Sequence, residues 1–297
     1  MESKKEIYDM MPQTLFPKTI LILAHSSSEN ILQAFKNSGL LFPVIGKPDI
    51  GMKGLAVKKL EALDQLLQYG MESKVDFLLQ QFVPYDAEVG IFYYRYPNEK
   101  NGHISGIVGK EFLSVTGNGK DNIHELILKD PRFILQLHYL KDTFGDELNA
   151  ILPHKQPFLL VPYGNHSRGA KFLDYSHLIE AELSSSIDKI CKQIPGFYFG
   201  RMDIRYLNWE DLKQGKNFSI IELNGAGSEP THMYDPKHSI LFAWKEIIRH
   251  LNILLKVSIL NHQAHRIPYM KFSEGWKMIK ENAAYVKMIQ PNLTPNE

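Results

Sequence analysis

Two stretches of alternating polar and apolar side chains, 197–206 and 218–224, constrain this chain more than any other part of it. Aromatic and β-branched residues recur at every second position, the signature of a strand with one buried face. Successive strand side chains point to opposite faces, so Arg201, Asp203 and Arg205 share one side and Met202 and Ile204 the other. By the same rule Glu222 and Asn224 share a face, opposite Ile221 and Leu223. A polar loop containing Gly215 joins the two, and a long-looped hairpin is the simplest pairing. If they pair, Asp203, Glu222 and Asn224 converge as an all-oxygen site suited to Mg²⁺, with Arg201 and Arg205 able to hold an anion beside it. Burying carboxylates without a cation is costly, which favours a site. The alternative is a pair of edge strands with solvated outer faces.

Length and composition bound the rest. The chain has 297 residues, 44% hydrophobic and 11% aromatic, enough for a substantial core. Its formal net charge of +1 advertises neither nucleic acid nor an anionic membrane, so any anion-binding function is local. The one cysteine, Cys191, falls in a helical pattern and reads as a buried inert thiol. No Cys/His group has zinc spacing. The first residues are charged and no apolar leader follows, while charges interrupt the apolar stretch 240–260. A cytoplasmic protein with no nucleic-acid or membrane partner is expected.

Along the chain, the spacing predicts helices over 3–12, 28–38 (closed by Gly39), 61–69 (stopped by Gly70), 122–129 (capped by Asp121), 131–139, 184–194, 238–260 and 273–288. Strands are expected over 19–24, 42–47, 55–59, 76–83, 88–96 and 104–112 besides the two described. Strands in groups with helices between them argue α+β with largely antiparallel sheets.

Weaker signals accompany the acidic pair. Lys47 ends a strand before a Gly51–Gly54 turn, and a lysine there can reach phosphate oxygens; alone, the same residues make an ordinary surface turn. No phosphate loop of the Gly-x-x-x-x-Gly-Lys-Ser/Thr kind is present. Residues 80–84 form a connector whose backbone at Gln81, Phe82 and Val83 is able to read a base edge, with Glu88 placed for a ribose or for bulk solvent. Asn165 to Gly169, including Arg168, is a polar loop suited to anion capture or to solvation. Of the twelve histidines, His232 lies nearest the acidic strands in sequence.

The order of these parts resembles the ATP-grasp superfamily, on its D-alanine–D-alanine ligase and cyanophycin/glutathione synthetase side. Carrying the resemblance are Lys47-Pro48, Gln80-Gln81-Phe82-Val83 with Glu88, Asn165–Gly169, Gly200-Arg201-Met202-Asp203 and Glu222-Leu223-Asn224. Val115-Thr116-Gly117-Asn118-Gly119, followed by His124-Glu125-Leu126-Ile127, looks like a cyanophycin-synthetase stretch. The resemblance implies two α+β subdomains clasping ATP: 21–83 as the smaller, 84–262 as the larger, with an entry segment 1–20 and a C-terminal helix and tail 263–297. It implies Lys4 and Lys47 on phosphates, Gln81 to Val83 on adenine, Glu88 on ribose, and Asp203, Glu222 and Asn224 on Mg²⁺. Arg201 and Arg168 become catalytic, and Asn165, Gly169, Arg205, Glu229 and His232 line the substrate pocket. Similar enzymes join an acid to an amine, here amino-acid or peptide-like, through an acyl phosphate. A kinase or a silent ATP-binding module are the alternatives, and a homodimer is a further expectation. Such ligases also carry an N-terminal α/β domain that this chain is expected to lack, and have small residues where Lys53 stands.

Overall fold

The computed structural model describes residues 2–51, 54–161, 164 and 169–289. Among them, every named strand pairing is antiparallel, as the α+β reading expects. Helix α1 (Lys4–Met10) starts where Ser3 Oγ accepts from the Glu6 N–H, and leads to β1 (Thr19–Ile22). Helix α2 (Ser28–Ser38) is capped by Ser27 and ended by Gly39 at φ 64°, a left-handed turn that glycine adopts without strain. Then come β2 (Val44–Pro48), β3 (Lys58–Leu60), α3 (Leu63–Glu72) and β4 (Phe77–Gln81), giving a four-stranded sheet in the order β1-β4-β2-β3. Alternation along β2 sends Val44 into a core with Ile31, Leu66 and Tyr69, and leaves Ile45 and Lys47 on the other face.

Strands β5 (Ala87–Tyr94) and β6 (His103–Glu111) belong to a second, five-stranded sheet, and β7 (Leu113–Thr116) to a third. The next helices are α4 (Ile123–Ile127), α5 (Pro131–Ile134) and α6 (Leu137–Phe144), followed by β8 (Pro157–Val161), which pairs with β7. These elements build their own core around Ile123, Ile127, Leu140 and Leu160. After them stand β9 (Lys171–Asp174), α7 (Ala181–Cys191), β10 (Phe199–Tyr206), α8 (Trp209–Lys213) and β11 (Phe218–Asn224). The five-stranded order is β11-β10-β5-β6-β9. One face of this sheet packs Met202, Ile204, Ile91 and Ile107 against α7 and the N-terminal residues Tyr8 and Phe16. The other is shared between helix α9 (Ile240–His265), through Phe92, Phe199 and Ile253, and an open cavity. Helix α10 (Phe272–Ile289) ends the described chain and buries none of its residues.

Several expectations need correction. Helix α3 does not stop at Gly70 but continues to Glu72. That glycine serves packing, because a Cβ there would lie 2.4 Å from Ile31 Cδ1. Asn122, not Asp121, caps α4, in a reciprocal capping box with Glu125. The 131–139 helix is two helices, with Gln136 outside helical geometry between them. The partner of β2 is 58–60, not 55–59, and α9 runs on to His265, where Arg266 turns left-handed at φ 55°. The loop between β10 and β11 holds α8. A bulge shifts the β10–β11 register between Asp203 and Ile204. Ile220 and Leu223 therefore fill the core, and Ile221 lines the cavity instead of facing away from Glu222.

Candidate functional site

The site is built from rows running across the five-stranded sheet. Arg205 on β10 stands directly opposite Glu88 on β5. In the next row Glu222, Asp203, Gly90 and Val108 face one another across β11, β10, β5 and β6, and beyond it Asn224, Arg201, Phe92 and Gly106 do the same. The alternation of β10 thus delivers Arg201, Asp203 and Arg205 to one face. Gly90 keeps that face open: a Cβ there would lie 2.7 Å from Val108 and 3.0 Å from Asp203 Oδ1.

Across from these rows, α1 and the four-stranded sheet bring Lys4 and Lys47. The two sides enclose a cavity of about 800 Å³, a volume suited to a nucleotide-sized ligand. Its walls differ in character. Ile45, Leu55, Val57, Phe82 and Val83 give an apolar wall from the smaller sheet and its connections. The opposite wall carries Glu88, Lys110, Arg201, Asp203, Arg205, Glu222 and Glu229. Among the described lining residues six lysines and arginines face four carboxylates, so the hollow has excess positive charge.

Inside, the charges are tightly interlinked. Arg201 Nε donates to Asp203 Oδ1 at 2.9 Å, and Arg201 also donates to the Glu229 carbonyl at 3.2 Å. Lys110 Nζ lies 2.8 Å from Glu88 and 3.2 Å from Asp203, its side chain 5% exposed. Arg205 reaches Glu88 at 3.4 Å and donates to the carbonyls of Val83 and Tyr85. Burial alone raises the Asp203 carboxyl, but Arg201 and Lys110 overcome it and hold it below the ordinary range. Burial likewise lowers the Lys110 ammonium, and Asp203 and Glu88 reverse the effect and raise it.

Lys47 joins the two sides. Its ammonium donates to Gln80 Oε1 at 2.9 Å, to Tyr8 Oη at 3.0 Å and to the Ile221 carbonyl on β11 at 3.1 Å. Desolvation pulls it down to about 8, against the opposing pull of Glu222 and Asp49. Lys4 donates to the Gly51 carbonyl at 3.0 Å and lies 3.6 Å from Glu222.

The structure therefore gathers Lys4, Lys47, Gln81, Phe82, Val83, Glu88, Arg201, Asp203, Arg205, Glu222, Asn224 and Glu229 around one hollow. Glu88 is not an exposed strand-start carboxylate; Lys110 and Arg205 clamp it. His232 is elsewhere, buried behind the lining with Glu246 at 3.0 Å, where Gly106 leaves room for its ring. Gly169, at φ 87°, packs near Leu113 and Gln136 and is outside the lining. Asn165 and Arg168 lie outside the described residues.

Lys110 escaped the sequence reading. Only the sheet order, which puts β6 beside β5, brings it to Glu88. Its position two residues after Val108, on the same side of the strand, was the available signal.

A divalent cation is compatible with the donor set. Asp203 and Glu222 are cross-strand neighbours with hard oxygens, and Asn224, opposite Arg201 in the next row, adds an amide oxygen. Asp203 already accepts from Arg201 and Lys110, so it would share its oxygens. Among the described residues, no group of three His, Cys, Asp or Glu side chains is placed to hold a metal by itself.

No protein-family model matches the chain, and no curated protein matches it. Solved structures do match. A bifunctional glutathione synthetase from Pasteurella multocida is 13% identical with a TM-score of 0.42, over 88% of this chain but only 35% of that one. The VanG D-Ala:D-Ser ligase from Enterococcus faecalis is 13% identical with a TM-score of 0.47, over 86% of this chain and 61% of its own. For the D-alanine–D-alanine ligase from Bacillus anthracis the figures are 13% and 0.48, over 88% and 69%.

Proposed function

We propose that the chain binds ATP with Mg²⁺ in this cavity and uses it to couple a carboxylic acid to an amine. The observation that carries the reading is the convergence, in one hollow, of Lys4 and Lys47 from one side and of Arg201, Asp203, Glu222 and Asn224 from the other. An apolar wall with Phe82 and Val83 suits a base, and a cationic wall suits phosphates. The net positive lining is offset by a triphosphate, and the two carboxylates are offset by the cation.

Asp203, Glu222 and Asn224 would hold the metal, which when bound supplies charge neutralisation at the phosphate oxygens. The chain's own groups do the rest. Lys47 and Lys4 bind phosphate oxygens as point charges. Arg201, steadied by Asp203 and the Glu229 carbonyl, is preorganised to meet negative charge that develops during transfer. In the coupling, a carboxylate oxygen of the acid bonds to the γ-phosphorus and ADP leaves. The amine nitrogen then bonds to the acyl carbon, phosphate leaves and the nitrogen gives up a proton.

The experiment is ADP release across a panel of amino acids and short peptides. Release requiring both an acid and an amine supports the ligase. A phosphorylated product formed without an amine selects a kinase, and tight MgATP binding with no turnover on any pair selects a silent module. Removing one preorganised donor costs roughly 2.7–4 kcal/mol of barrier, so Arg201→Ala lowers turnover 10²–10³-fold while nucleotide affinity changes much less.

A further inference from the structure

Helix α9 is apolar on two opposite faces. Its inner face sets Ile253 and Val257 against the five-stranded sheet. At the 3- and 4-residue spacing of a second stripe, Leu241, Trp244, Ile248, Leu251 and Leu255 lie on the outer face, 57% to 75% exposed. Helix α10 carries a shorter exposed stripe, Phe272, Trp276 and Ile279, 51% to 86% exposed. Each helix thus exposes a row of large apolar side chains with a tryptophan in it, and such rows mark interaction sites.

Charge identifies the partner. Residues 240–289 hold eight lysines and arginines against three glutamates, in a chain whose formal net charge is only +1. The whole-chain balance conceals a basic C-terminal segment. Lys245 and Lys256 flank the α9 stripe, and Lys277 and Lys280 flank that of α10, all exposed. A two-fold contact with a second copy would bring these like charges together, which weighs against self-association. An anionic partner is favoured by the same charges. Tryptophan, phenylalanine and leucine beside a lysine flank, on a helix too polar to span a bilayer, is the composition of a segment lying in a lipid headgroup plane.

We propose that the outer faces of α9 and α10 attach the protein peripherally to an anionic lipid bilayer. The expectation of no membrane partner rests on the overall charge, an average in which this basic segment is lost. Attachment uses none of the cavity residues, so it stands or falls independently of the ligase reading.

The test is co-sedimentation of the full chain with vesicles of mixed phosphatidylserine and phosphatidylcholine, against phosphatidylcholine alone. At low salt the bound fraction is expected to be at least ~10-fold larger on the anionic vesicles, to fall as salt is raised, and to bring a blue shift in tryptophan emission. Trp244→Glu with Leu251→Glu, at exposed positions, abolishes binding and the shift, and Lys277→Glu with Lys280→Glu weakens binding on anionic vesicles. Unchanged circular dichroism shows that each variant is folded. Equal or absent binding on both vesicle types overturns the proposal. So does a stable dimer in sedimentation equilibrium that Trp244→Glu dissociates, which would assign the face to a second copy.

Discussion

Lys110 decides whether the cavity's acidic side chains are tolerable. It is the shared counter-ion of Glu88 and Asp203, and all three side chains are at most 5% exposed. Removing one partner from such a group leaves buried charge uncompensated, at ~3–5 kcal/mol. Lys110→Met is therefore expected to lower the unfolding free energy by that order in denaturant titrations, and adding Glu88→Gln should restore part of the loss. If Lys110→Met unfolds like the parent, the network contributes no stability. Lys47 tests the phosphate reading through pH. Phosphates need its charged form, which burial confines to pH below about 8. ATP affinity is then expected to hold below that value and fall as pH rises through it, read by calorimetry. The unliganded fold behaves oppositely. An unfolded lysine keeps its proton to about 10.5, so between the two values the unfolded chain binds more protons and stability rises with pH. Affinity that stays flat across this window would remove Lys47 from phosphate contact. Alternation along β10 was readable in the sequence because it is a local property of the backbone. The Glu88–Lys110 contact was not, since it depends on the register of the β5–β6 hairpin, which its connecting turn sets and neither strand's own pattern shows.

At the scale of elements, Gly70 shows how a local rule misleads. Glycine inside a helix costs roughly 0.5–1 kcal/mol against alanine, so propensity alone says Gly70→Ala stabilises α3 and makes the residue look like a stop. The packing between α2 and α3 says otherwise. The added methyl would lie 2.4 Å from Ile31 Cδ1, in a core where Ile31 is 0% exposed. Overpacking of this kind costs about 1–3 kcal/mol. Gly70→Ala is expected to destabilise by about 1 kcal/mol net, and Ile31→Val in the same chain, which removes the clashing methyl, to recover part of it. A double-mutant cycle without coupling between the two positions would refute the contact. A capping signal was legible where one residue decides it, as at Gly39. Choosing between Asp121 and Asn122 depended on which side chain meets the Glu125 N–H, a matter of one residue's backbone angle. The bulge in β11 left one trace in the sequence, the doubled Ile220-Ile221 that breaks the alternation, and a reading that assumed strict alternation passed over it.

At the scale of the molecule, the two larger sheets are held apart by a charged hollow and joined across it by Lys47, whose ammonium reaches the β11 backbone at Ile221. The ordered motifs foretold that these ribbons meet, although β7 and β8 of the third core were not among the expected strands. Such a hollow leaves like charges close together, so its natural relief is a ligand bearing both signs. A ligand that binds only the folded state adds about 2.7 kcal/mol at a hundred times its dissociation constant, which in a chain of this size raises the melting temperature by several degrees. Thermal unfolding with ATP and Mg²⁺ together is therefore expected to rise more than with ATP alone, and Mg²⁺ alone should do little. Asp203→Asn separates the two contributions. It removes a negative charge that Arg201 and Lys110 otherwise satisfy, so those cations become free to meet phosphate and binding of ATP without metal should be retained or strengthened. The extra increment from Mg²⁺ should vanish. A variant that keeps the full increment would show that the metal enters, if at all, through other oxygens, and the cross-strand pair of Asp203 and Glu222 would then serve only to orient the arginine and the lysine.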